Sequence, residues 1–123
     1  MKIRIKDNSI RLRLTQGEVN EFEKTAKVSA TTSFLNESTL TYSLIWSKEE
    51  NYSAIMNDHE IEVRVPQSAG QKWLDPTQVG MEQLLELKNG DHLRILVEKD
   101  FACLTERVDE DESDNFPNPL STC

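Results

Sequence analysis

The feature that most constrains the fold of this chain is an alternation of apolar and basic residues at its N-terminus. Isoleucine occupies positions 3, 5 and 10, leucine occupies positions 12 and 14, and lysine or arginine lies between them. A period of two is typical of a β-strand with one buried face, because successive side chains point to opposite faces of a sheet. Asp7-Asn8 supplies a turn between the two runs. Residues 2–14 are therefore predicted to form a β-hairpin.

Three further hairpins follow from the same alternation, over residues 28–46, 52–65 and 81–98. Two short helices lie between them. Thr15 and Glu18 have the spacing of a capping box, which predicts a helix from there to about Ala26. The second helix is predicted over residues 67–74. The fold class is thus α+β, with about eight mostly antiparallel strands in a strongly bent sheet or open barrel. No repeat of solenoid length is visible, although four hairpin-like units recur.

The chain is predicted to form one domain followed by a tail. Its 123 residues, of which 37% are hydrophobic, are enough for a single core. The alternating pattern ends near residue 105, and residues 106–114 contain six acidic side chains before a stretch rich in Asn and Pro. We therefore expect an α+β domain over residues 1–105 and an acidic tail over residues 106–123.

Charge excludes two classes of partner. The formal net charge is −8, whereas binding to nucleic acids or anionic membranes depends mainly on basic residues. No apolar run reaches the roughly 18 residues that a membrane-spanning helix needs, and the N-terminus lacks the apolar block of a signal peptide. We expect a cytoplasmic protein that binds neither nucleic acid nor membrane.

Two oppositely charged stretches predict an interaction function. The first hairpin presents a basic face, and the tail is acidic and contains one aromatic residue. We expect a homo-oligomer or an unidentified protein partner, with docking of the tail on its own or a neighbouring subunit. The proposed roles are a basic surface of Lys2, Arg4, Arg11 and Arg13, counter-charges at Asp109, Asp111 and Asp114, and an apolar anchor at Phe116. A solvated face with a flexible tail, or an anionic ligand on the hairpin, would also explain this charge pattern.

Metal binding and thiol chemistry are two further functions that the sequence leaves open. Thiolate and imidazole are ligands that Zn or Fe prefers, so Cys103 and Cys123, with His59 or His92, are candidate ligands. Their spacing matches no standard metal motif, and the pattern favours reduced cysteines with structural roles over a metal site. A reactive Cys103 would indicate a thiol enzyme. No catalytic residue and no cofactor are otherwise predicted.

The two ends of the chain resemble a known family. The opening KIRIKDNSIRLRLT, residues 98–104 and the ending DESDNFPNP are similar to small bacterial proteins classed only as a domain of unknown function. The resemblance covers nearly the whole chain. It implies a bacterial, cytoplasmic protein, and it implies no activity, substrate or cofactor.

Overall fold

The predicted α+β class is confirmed by a computed structural model, which describes residues 1–101 and 114–117. Each predicted hairpin and helix is present, with boundaries close to those expected from the sequence. In chain order, the elements are β1 (Lys2–Lys6), β2 (Ser9–Leu14), α1 (Gln16–Thr25), β3 (Lys27–Ser33), β4 (Thr39–Trp46), β5 (Ser53–Asn57), β6 (Glu60–Val65), α2 (Gln67–Trp73), β7 (Gly80–Glu86) and β8 (His92–Lys99).

Within residues 1–101 and 114–117, eight strands form two mixed sheets of four, and these sheets do not close into a barrel. The strand order is β1-β2-β8-β7 in the first sheet and β3-β4-β6-β5 in the second. Each sheet consists of two antiparallel hairpins that meet through a parallel pair, β2 with β8 or β4 with β6. The alternation predicted the hairpins, and the parallel pairs are what joins them.

The two halves of the chain repeat one ββαββ arrangement. The turn of the first hairpin in each half contains an aspartate with a φ of 50°, Asp7 or Asp58. The turn of the second hairpin contains a residue with positive φ at the equivalent position, Glu37 (68°) or Gly90 (90°). Each sheet combines the first hairpin of one half with the second hairpin of the other. The order of elements therefore repeats twice along the chain, and each half contributes one hairpin to each sheet.

The two parallel strand pairs have equivalent registers in the two sheets. At the end of the first sheet's central pair, Leu14 of β2 lies beside Lys99 of β8. At the end of the second sheet's central pair, Val65 of β6 lies beside Trp46 of β4. Lys99 and Trp46 are thus equivalent positions.

One apolar core holds the sheets and helices together. Both sheets and both helices contribute to it, because each element buries one apolar face. The core residues are Leu12, Leu14, Val19, Phe22, Val28, Leu44, Ile61, Val63, Val65, Trp73, Met81, Ile95 and Val97.

Helix α1 begins as the sequence predicts. Thr15 is its N-cap, with its hydroxyl accepting from the N–H of Glu18 and its own N–H donating to the Glu18 carboxylate. The N-terminal ammonium of Met1 also pairs with Glu18. Among the described residues, no helix is long and apolar enough to cross a membrane.

Candidate functional site

The outer face of the first sheet collects six basic side chains, which we call the basic face. Five come from the first hairpin, where the register places Lys2 beside Arg13 and Arg4 beside Arg11. The sixth, Arg94 of β8, is brought beside β2 by the parallel pairing. The basic face comprises Lys2, Arg4, Lys6, Arg11, Arg13 and Arg94. Sequence analysis missed Arg94 because the pairing of β2 with β8 is not visible in the local pattern.

Acidic residues neutralise part of the basic face. Arg11 and Arg13 share Glu98, at 3.1 Å and 3.8 Å. Lys2 Nζ lies 3.0 Å from the buried carboxylate of Asp100. These pairs occupy the end of the face nearest the C-termini of β2 and β8, so the charge there is largely balanced.

A further ion pair lies on β7 and β8. The guanidinium of Arg94 lies 2.6 Å from the carboxylate of Glu82. The hydrogen bond between them lowers the pKa of the Glu82 carboxyl and raises the pKa of Arg94. Both groups are exposed, so this pair contributes little to stability.

The turn end of the basic face keeps uncompensated charge. Within residues 1–101 and 114–117, no carboxylate pairs with Arg4 or Lys6. Both side chains are exposed and, with Arg11 and Arg94, they line a groove of about 260 Å³. The exposed positive charge of the basic face is therefore concentrated at this groove.

The short segment of residues 114–117 packs against α1. The Asp114 carboxylate accepts from the backbone N–H of Gly17 at 3.2 Å, and its carbonyl accepts from the N–H of Gln16 at 2.9 Å. A Cβ atom at Gly17 would lie 2.9 Å from Asp114 Oδ2, so glycine allows this approach. Asp114 therefore compensates the positive end of the helix. The structure places it there, and its described contacts are with α1.

Phe116 is held by both backbone and ring contacts. Its N–H donates to the carbonyl of Asp100 at 2.8 Å, and its ring lies 5.5 Å from that of Phe101. Asn115, which precedes it, is buried, and its carbonyl accepts from the side chain of Gln16. The segment thus forms a wall beside the end of β8.

A second cavity lies behind this wall, and we call it the Lys99 cavity. It has a volume of about 440 Å³ and lies between α1 and the loop that follows α2. Its walls include Val19, Val79, Phe101 and Phe116, and Lys99 is its basic residue. Sequence analysis did not single out Lys99, since a lysine at the end of an alternating strand is typical of a surface position.

Lys99 is buried, with only 4% of its surface exposed. Its ammonium donates to the backbone carbonyl of Asp75 at 2.8 Å and lies 5.9 Å and 5.5 Å from the ring centres of Trp73 and Phe116. Burial lowers the pKa of Lys99, and the negative charge of Asp75 partly offsets this effect. A buried ammonium is uncommon, because lysine is almost never fully buried unless it is paired.

The predicted metal ligands are dispersed or undescribed. His59 lies in the turn between β5 and β6, and His92 begins β8. Cys103, Cys123, Asp109 and Asp111 lie outside the described residues. Among the residues that are described, no group of three or more His, Cys, Asp or Glu side chains could hold a metal ion.

Comparison with known proteins gives one family. A family model with the description "family of unknown function (DUF7009)" matches residues 1–120. The chain belongs to DUF7009. This match confirms the resemblance of the two ends of the sequence to a domain of unknown function. It extends over both halves of the repeat. No curated protein and no solved structure was found to match it. The DUF7009 description assigns no activity.

Proposed function

We propose that this protein is a non-enzymatic, cytoplasmic interaction module whose basic face binds acidic peptide segments. The observation that carries the proposal is the groove beside Arg4 and Lys6, where two exposed cations lack an acidic partner among the described residues. The two uncompensated cations at this groove favour a partner with at least two carboxylates, because a single carboxylate would neutralise only one of them.

The chain itself contains a segment of the required chemistry. Residues 106–113 carry five acidic side chains against one arginine. We propose that this segment, offered by a second copy of the chain, is a partner of the basic face. Charge complementarity supports this choice. The neighbouring Asp114 and Phe116 are engaged elsewhere, at α1 and beside Phe101, so the proposal leaves them out of the contact.

The first experiment measures binding of a synthetic peptide of residues 106–113 to the full chain by fluorescence anisotropy. To remove competition from the chain's own acids, Asp109→Asn, Glu110→Gln, Asp111→Asn and Glu112→Gln are combined in the protein. Arg4→Gln with Lys6→Gln is then added. We expect this pair to weaken binding by about tenfold at low salt, and we expect salt near 0.5 M to have a similar effect.

The matched control replaces two exposed lysines outside the basic face, Lys48→Gln with Lys88→Gln, for the same change in net charge. An equal loss of affinity in this control would show that binding depends on net charge alone and would overturn the proposal. Sedimentation of the unmodified chain tests self-association. A monomer at all salt concentrations would eliminate the second copy as partner.

A metal site at Cys103 and Cys123 with Zn or Fe is the remaining prediction from the sequence. Both cysteines lie outside the described residues, so no structural observation favours this site. We therefore do not adopt it as a second candidate function.

A further inference from the structure

The two-fold topology gives an internal comparison for the Lys99 cavity. Trp46, the last residue of β4, lies against α2 of the other half of the chain. Its indole packs so closely on Gly70 that a Cβ atom there would lie 2.5 Å from Nε1. At the equivalent place in the first sheet, Lys99 ends β8 and lines a cavity with α1, where the residue equivalent to Gly70 is Val19. An indole fills the space at one sheet, and a cavity with a lysine occupies the corresponding region at the other.

The walls of the Lys99 cavity are largely apolar. Aliphatic side chains come from α1 and from the loop after α2, and aromatic rings come from the end of β8 and from residues 114–117. The apolar lining residues that carry the argument are Val19, Leu74, Val79, Phe101 and Phe116. A volume of about 440 Å³ lies within the range of roughly 300–1,000 Å³ that small-molecule sites span.

The charge of Lys99 is incompletely matched by the protein. An ammonium has three donors, and the described partners of Lys99 are one carbonyl, that of Asp75, and two ring faces. The nearby Asp75 carboxylate accepts from the N–H and the hydroxyl of Thr77, at 2.8 Å and 2.7 Å. Within the described part of the chain, no carboxylate lies within ion-pair distance of Lys99. Because a buried charge without a counter-charge is costly, an anion in the cavity would stabilise the Lys99 ammonium.

We propose that the Lys99 cavity binds a small amphipathic carboxylate, whose acid group pairs with Lys99 and whose apolar body lies among Val19, Val79 and the two phenylalanines. An inorganic anion would leave the apolar walls unused, and a neutral apolar molecule would leave the ammonium unmatched. The site is separate from the basic face, since it lies at the opposite, inner side of β8 and involves α1. It goes beyond the proposed interaction function and does not depend on it.

The test uses a panel of acids, each paired with its neutral amide: phenylacetate, 3-phenylpropionate and octanoate. Binding to the full chain is followed by two-dimensional NMR of backbone amides. We expect at least one acid to bind saturably and to shift the amide resonances of Val19, Val79 and Phe101. Its amide should bind about tenfold more weakly or worse, because a charge-assisted hydrogen bond is lost.

Lys99→Met is the decisive variant, since it keeps the length and apolar stem of the side chain and removes the charge. It should lower the affinity for the acid to that for the amide. Lys72→Met, an exposed lysine on α2 outside the cavity, is the matched control and should change nothing. Val79→Trp is a second variant that fills the cavity without touching the charge, and it should also abolish binding.

Three results would overturn the proposal. The first is a panel in which no acid binds better than its amide, and the second is unchanged affinity in Lys99→Met. The third is a set of shifted resonances confined to the basic face around Arg4, which would assign the acid to that face instead.

Discussion

Lys99 of β8 and Trp46 of β4 occupy equivalent positions in the two halves of the chain, each beside the last residue of a parallel partner strand. Trp46 stacks on Phe22 at 5.3 Å between ring centres, and its indole N–H donates to the carbonyl of Gln67. Lys99 instead places an ammonium near the rings of Trp73 and Phe116. The same backbone framework thus carries an apolar contact in one half and a buried charge in the other.

The first prediction concerns the pH dependence of stability. Because burial lowers the pKa of Lys99 in the folded state, the unfolded chain binds more protons between that lowered pKa and the ordinary value near 10.4. The contribution of Lys99 therefore makes the protein more stable as pH rises through this window. Above the ordinary tyrosine pKa of 10.0, Tyr42 and Tyr52 act in the opposite sense, since burial raises their pKa values.

Comparing Lys99→Met with the unmodified chain isolates the contribution of the lysine, because the tyrosines are common to both. Urea unfolding is measured from pH 7 to pH 10. As pH rises, the free energy of unfolding of the unmodified chain should increase relative to that of Lys99→Met. A difference that stays constant across this range would contradict the assignment of a lowered pKa to Lys99.

The second prediction is that Gly70→Ala destabilises the protein. In an exposed helix, alanine in place of glycine stabilises by about 1 kcal/mol. At Gly70 the added Cβ would lie within 3 Å of three atoms of the rigid Trp46 ring, so the expected effect is a loss of about 1–3 kcal/mol. Chemical denaturation measures the sign directly.

The matched test of this contact is a double-mutant cycle with Trp46→Leu. The smaller side chain should remove the clash, so Gly70→Ala is expected to be neutral or stabilising in that background. A loss of stability that is the same in both backgrounds would assign the cost to the helix itself and not to the indole.

The third prediction concerns Asp114 and the start of α1. Asp114→Ala removes the acceptor of the Gly17 N–H and should cost about 1 kcal/mol, whereas Asp114→Asn keeps an acceptor and loses only the charge. We expect a larger drop in Tm for alanine than for asparagine. Glu23→Gln, an exposed change later in α1, serves as the control, and an equal drop in all three variants would argue against a helix-capping role.

The fourth prediction follows from the two equivalent turns. Glu37 and Gly90 both have positive φ, a conformation that costs a residue with a side chain more than it costs glycine. Glu37→Gly should therefore stabilise the protein by roughly 0.5–1 kcal/mol, and Gly90→Ala should destabilise it by a similar amount. Thermal unfolding of the two single variants tests both signs, and the same sign for both would contradict the equivalence of the turns.

The sequence determined the local structure of this protein. The alternation around Ile3 and Ile5 predicts the first hairpin, and the capping box of Thr15 and Glu18 predicts where α1 begins, because both signals depend on residues that are close in the chain. The alternation occurs in both halves but the capping box occurs only in the first, so local signals do not predict the repeat, which consists of shared faces and turns more than of shared residues. The first-hairpin cations of the basic face could be predicted for the same reason, as their common face is fixed by strand periodicity.

Only the tertiary structure decided which hairpins pair and what lies between them. The parallel contacts join Leu14 to Lys99 and Val65 to Trp46, and no turn or spacing signal encodes such contacts. They are selected by the burial of a shared core from both halves, a free energy that belongs to the whole chain. Arg94 joins the basic face and Lys99 comes to lie beside a cavity through this pairing alone. The sequence determines the charge of a residue, but the burial of that residue depends on every element that packs around it.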